Sequence, residues 1–249
     1  MKNLFRNSDK KSKERERNSP PMAAVGNGDL IYLEQIKAMR AKFEYKIDAM
    51  KVKVVAVTSA VAGEGKTTSV SQLAIHLVMA GRKKVLLIDA DLRKSELARG
   101  LNIPPLPGLS EFLTGTVAPK DIMRNSFLPG LYIIPAGSRV EVPSYLLAGE
   151  KFRAFLDEVR NQFDVILLDT PPVLAVADTL SLRDQVDGFL FLYRAGFTPH
   201  SLIRQAVEEV GEDKVIGVVL NGVSQRSKKY YSRYYGKYYH KNHVGEPIA

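Results

Sequence analysis

Two clusters of residues and one isolated carboxylate in this 249-residue chain have the types and spacing for chemistry. They are Ala60-Val61-Ala62-Gly63-Glu64-Gly65-Lys66-Thr67-Thr68, Asp89-Ala90-Asp91 and Asp169. A short Gly-containing loop closed by Gly-Lys-Thr suits a phosphate: backbone N–H groups and the start of a helix present a concave positive surface. Gly63 and Gly65 let the backbone approach without a Cβ in the way. Lys66 is placed to reach terminal phosphates and the Thr67 hydroxyl to take a position on magnesium, with Ala62, Glu64 and Thr68 completing the loop. The full pattern has glycine where this chain has Ala60. Carboxylates at Asp89, Asp91 and Asp169 supply metal contacts and a candidate base. Two carboxylates placed together need a cation or a proton between them.

The elements that position these residues follow from patterning. Val54–Val57 and Val85–Ile88 are continuous apolar runs without alternation, as are Val165–Leu168, which suits strands buried on both faces of a parallel sheet. Each ends at a chemistry-bearing residue, and ligands of such sheets bind outside the carboxyl ends of the strands. The expected strands cover about 52–58, 84–90, 131–134, 163–169, 188–193 and 215–220. The expected helices run from Lys66 to Ala80, from Lys151 to Gln162 and from Pro199 to Val210. Alternation in an extended chain would point Asp89 and Asp91 the same way. Residues 92–130, rich in Pro and Gly, read as loops around one short helix, Leu109 to Leu113. Strands alternating with helices predict an α/β, doubly wound, mostly parallel sheet of P-loop type.

Composition narrows the function. The chain has no cysteine, which removes thiolate catalysis and cysteine-based metal sites. Its four histidines show no metal-ligand spacing, and no apolar run reaches the ~20 residues of a membrane span. A cytoplasmic location is expected. The net charge of +9 is confined to the ends: residues 1–20 carry seven Lys/Arg against three Asp/Glu, and residues 223–249 six against one. A neutral body with basic ends argues against a nucleic-acid groove and fits contact with acidic lipid or an acidic partner.

The domain plan is an arm at 1–29 expected to be disordered, a nucleotide-binding domain at 30–222, and a tail at 223–249. The helix expected over Leu30–Met50 has Leu33, Ile36, Met39, Phe43 and Ile47 at spacings of three and four, with Glu34, Lys37 and Arg40 on its polar side. The spacing alone also fits a plain solvated face. The tail carries Tyr230, Tyr231, Tyr234, Tyr235, Tyr238 and Tyr239, three pairs interleaved with Lys, Arg, Ser and Gly. With few aliphatic residues there, a flexible substrate tail explains the density better than a packed helix, and a Tyr/Arg surface stacking on single-stranded nucleic acid is the third reading.

These motifs, with Leu87–Lys94, Gly108–Gly115 and Phe163–Pro172, resemble the bacterial tyrosine kinases of capsular and exopolysaccharide biosynthesis from about residue 31 to 240. The resemblance implies ATP and Mg2+ as cofactors and autophosphorylation of the tail tyrosines in trans. It implies Lys66 and Thr67 in phosphate-loop roles, and Asp89 and Asp91 in a second motif that orients or deprotonates the acceptor tyrosine. Asp169 matches the magnesium-holding aspartate. Glu34, Lys37 and Arg40 stand where the family has a Glu-x-x-Arg-x-x-Arg contact between subunits of a ring, with lysine in place of the first arginine. Ser95 and Ala98 stand where the family usually has Pro and His. The resemblance also implies a membrane partner of the polysaccharide chain-length type, and hence a peripheral place on the inner face of the membrane. Val61, where partition ATPases carry a signature lysine, argues against that branch. An ATP-binding scaffold without tyrosine kinase activity is the alternative, and phosphotyrosine on the tail separates the two.

Overall fold

The computed structural model describes residues 30–81 and 83–223. The arm at 1–29 and the tail from 224 onward, with its six tyrosines, lie outside the described residues. Seven strands form one sheet: β1 (Val54–Ser59), β2 (Val85–Asp89), β3 (Arg124–Asn125), β4 (Leu131–Ile134), β5 (Val165–Asp169), β6 (Gly188–Arg194) and β7 (Val215–Asn221). Their order is β3-β4-β2-β5-β1-β6-β7, with every pair parallel except β3 with β4.

Helices cover both faces. They are α1 (Leu30–Met50), α2 (Lys66–Met79), α3 (Leu97–Gly100), α4 (Leu109–Thr114), α5 (Pro119–Ile122), α6 (Pro143–Ala148), α7 (Glu150–Arg160) and α8 (His200–Val210). Alternate residues of each central strand enter opposite cores. Val54, Ala56, Leu86, Ile88, Ile166 and Leu168 pack with Phe152, Phe155 and Leu156 of α7 and Ala206 of α8. Val55, Val57, Leu87 and Leu167 pack with Leu73 and Leu77 of α2 and Phe43 and Ile47 of α1. Since both faces are filled, the apolar runs show no alternation in sequence.

Three local expectations change. The 92–130 region holds three short helices and the two-residue β3, rather than one helix among loops. Four-residue helices such as α3 and α5 are too short to display a 3.6-residue period. Strand β2 ends at Asp89, so the alternation that would align Asp89 with Asp91 stops before Asp91, which sits in a turn. On α1, Ile36, Phe43 and Ile47 are buried while Leu33 and Met39 are half-buried.

Candidate nucleotide site

The loop between β1 and α2 sits at the centre of the sheet, with β5 on one side of β1 and β6 on the other. Gly63 and Gly65 have φ of +84° and +88°, the left-handed region that favours glycine. A Cβ on Gly65 would lie 2.4 Å from the Asn221 amide nitrogen. Lys66 is the first residue of α2, so its side chain and the free N–H groups of the helix start share one corner.

Glu64 is fully buried although it lies in a loop built for anions. Its Oε1 accepts hydrogen bonds from the Thr198 hydroxyl at 2.6 Å and the Arg194 amide at 3.2 Å, and its Oε2 accepts from the Val61 amide at 3.2 Å. Its carbonyl accepts from the Asn221 side chain at 2.8 Å. The Glu64 side chain therefore latches the loop to the end of β6 and the segment after it, and its backbone carbonyl ties the loop to the end of β7. Arg194 also donates to the Gly63 carbonyl at 3.3 Å, and its side chain lies against Gly222.

The carboxylates converge on the same corner. Asp89 on β2 and Asp169 on β5 are paired in register, and both are buried. Asp89 accepts from the Ser95 hydroxyl at 2.7 Å and the Asp91 amide at 3.2 Å. Burial, followed by the charge of Asp169, pushes its carboxyl well above the usual range. Burial likewise raises Asp169 to about 7, against the opposing pull of a Thr67 hydrogen bond and the Lys66 charge. Lys66 is itself lowered by burial, with Asp169 and Asp91 opposing. Asp169 Oδ1 is buried without a hydrogen-bond partner. Asp91 is half-buried, and its Oδ1 accepts from the Lys94 amide at 2.9 Å and the Arg93 amide at 3.3 Å. Ala62 is exposed on the loop, and in the first turn of α2 Thr68 is exposed and Thr67 half-buried.

The donor set fits a hard cation: a hydroxyl on Thr67, a buried carboxylate oxygen awaiting a partner on Asp169, and Asp89 beside it. Among the described residues no three His, Cys, Asp or Glu side chains form a metal cage. Magnesium is usually held by one or two carboxylates together with water and substrate phosphates, the number that Asp89 and Asp169 supply.

Residues that pattern reading left unassigned are Thr198, Asn221 and Asp178. Asn221 ends an apolar strand, a position that could have flagged it. Thr198 and Asp178 lie in loops with no periodic signal. On α1, Lys37 pairs with Glu34 at 2.9 Å and Arg40 pairs with Glu44, all within one helix. No helix among the described residues is long and apolar enough to cross a membrane.

A phosphate loop at the centre of a doubly wound parallel sheet, facing two strand-end carboxylates, defines the P-loop class of nucleotide-binding proteins. Residues 52–186 match the family described as AAA domain. The tyrosine-protein kinase CpsD of Streptococcus agalactiae serotype Ia is 33% identical over 200 residues, covering 79% of this chain and 85% of that protein. The tyrosine-protein kinase ptk of Acinetobacter johnsonii is 32% identical over 213 residues, and the chain spans only 29% of its length while 84% of this chain is covered. The BceF tyrosine kinase domain superimposes with a TM-score of 0.76 at 30% identity, covering 87% of this chain and 88% of that one. The chain belongs to the bacterial tyrosine-kinase family.

Proposed function

We propose that this chain is a Mg-ATP-dependent protein-tyrosine autokinase. It phosphorylates Tyr230, Tyr231, Tyr234, Tyr235, Tyr238 and Tyr239 of a neighbouring subunit and thereby regulates capsular or exopolysaccharide synthesis and export. The observation that carries this reading is the convergence of Lys66 with the in-register pair Asp89 and Asp169, whose Oδ1 lacks a partner. The names of the relatives support the choice of tyrosine as acceptor.

The loop amides of 63–68 hold the phosphates, and Lys66 offsets charge that builds on the transferred group. Thr67, Asp89 and Asp169 are the side chains that would hold magnesium, which would supply positive charge to offset that of the phosphates. Asp91, less buried than Asp89, orients the tyrosine hydroxyl and receives its proton, while Asp89 holds the turn and the metal side of the site. Each phosphate adds about −1.5 to −2 charges, so three would roughly cancel the tail's +5 and loosen its attraction to an acidic site.

Glu34, Lys37 and Arg40 are the proposed contact between subunits of a ring. A membrane protein of the chain-length type is the proposed activator. It would hold the kinase at the inner face of the membrane, with lipid contact through the basic ends.

Mass spectrometry of protein incubated with Mg-ATP, beside Lys66→Met, tests the reading. Phosphotyrosine on the tail in the wild type alone is expected. A tail still clean in the presence of the activator's cytoplasmic segment, with ATP bound, would leave an ATP-binding scaffold.

A further inference from the structure

Arg93 and Asp178 belong to different loops and meet as a fork. Arg93 Nε donates to one oxygen of Asp178 at 2.6 Å and Nη2 to the other at 3.1 Å. The Asp178 side chain is 1% exposed and that of Arg93 39%. The socket that holds Asp178 is fixed. Thr58 and Thr179 hydroxyls both donate to the Pro171 carbonyl, at 2.9 and 2.7 Å, and Ser181 Oγ donates to the Asp178 carbonyl at 2.7 Å. On the other side, Arg93 lies in a turn bound to itself: its own amide and that of Lys94 donate to Asp91, and Ser95 donates to Asp89. The fork ties this turn to the loop that starts at Asp169.

A half-buried ion pair is weak evidence for stability, because the desolvation cost of its buried partner rivals its attraction. What a two-bond guanidinium–carboxylate fork supplies is orientation. We propose that Arg93 and Asp178 are positioning residues that set the turn carrying Asp89 and Asp91 against Asp169, at the spacing in which the magnesium–nucleotide and the acceptor hydroxyl meet. This rests on the reading of those three carboxylates given above.

The test uses Arg93→Lys, Arg93→Gln and Asp178→Asn in the full chain. Magnesium is titrated against the fluorescence of a labelled ADP, and amide hydrogen exchange is followed across 90–96. In all three variants the half-saturating magnesium concentration is expected to rise roughly 10-fold, the lower end for loss of a partner behind a metal ligand. Affinity for the labelled ADP without magnesium should stay within roughly twofold, since the phosphate loop is untouched. The Arg93 and Lys94 amides should exchange faster. Lysine should fail to rescue, because it cannot form the fork. An unchanged magnesium midpoint in both Arg93 variants, even with a lower melting temperature, would make the bridge purely structural and overturn the proposal. A wild-type protein that binds ADP without any magnesium response would instead remove the carboxylate reading, and this inference with it.

Discussion

Asp89 and Asp169 face each other in register on adjacent parallel strands, both buried, with both carboxyls held above their usual ionisation range. The ligand-free fold carries an electrostatic burden at the place where the proposed magnesium would sit. Replacing Asp169 with Asn should relieve it. The apo protein is expected to gain on the order of 1–3 kcal/mol, because an amide carries no charge to desolvate or to repel Asp89. That corresponds to a rise in melting temperature of a few degrees, while phosphotyrosine formation drops at least ~100-fold. Thermal unfolding beside a kinase assay checks both; an unchanged or lower melting temperature would show that the pair carries no such burden.

Glu64 makes the opposite kind of contribution. Its truncation in Glu64→Ala removes three hydrogen bonds and should cost about 2–3 kcal/mol while weakening ATP binding about 10-fold as the loop loses its hold on β6. Glu64→Gln keeps an acceptor for Thr198 and should lose less of both. Isothermal titration with ATP reads the affinity. Equal affinity in wild type and Glu64→Ala would mean that the glycines alone shape the loop.

Asp187 gives the fold a dependence on acid. Burial opposes its ionisation, yet the Val54 and Lys53 amides, each at 2.8 Å, and the Arg160 guanidinium hold it below the ordinary value of 3.8. A carboxyl lowered in the folded state adds stability that is complete above its unfolded value and is lost as pH falls through the folded one. The increment is about 1 kcal/mol after allowing for its partial exposure. The gap between the urea midpoints of wild type and Asp187→Asn should be full at pH 7 and shrink as pH falls below about 3.8. A gap that stays the same from pH 7 down through the acid range would sink the assignment.

The proposed ring contact predicts a size change. The salt bridges of Glu34 and Arg40 are local to α1, so Glu34→Ala with Arg40→Ala should alter stability by less than about 1 kcal/mol. Light scattering should fall from an assembly to a monomer. An unchanged mass would move the interface elsewhere.

Much of this was legible in sequence because burial on both faces writes continuous apolar runs, and because Asp89, Asp169 and the loop glycines sit where such runs end. The fork between Arg93 and Asp178 was not legible, since it joins loops 85 residues apart that obey no period. The same holds for Glu64: an acidic residue in a phosphate loop reads as a lining group, and only its burial and its three hydrogen-bond donors reveal a latch. Asp91 marks the limit of strand reasoning, because alternation holds no further than the last ladder residue.

The bond from Asn221 to the Glu64 carbonyl anchors the end of the last strand at the phosphate loop, so the chain leaves the fold beside the nucleotide corner. The tyrosines are thus tethered close to their own subunit's site. Tyr230 lies seven residues beyond Val223, a leash of at most ~25 Å, and Tyr239 is within ~58 Å. Covalent linkage over so short a reach can hold a group at an effective concentration in the millimolar range, roughly that of a concentrated peptide substrate. In the proposed autokinase, transfer between subunits would compete with a self-directed reaction that dilution does not slow, and the fall of the rate on dilution measures the share taken by the neighbour.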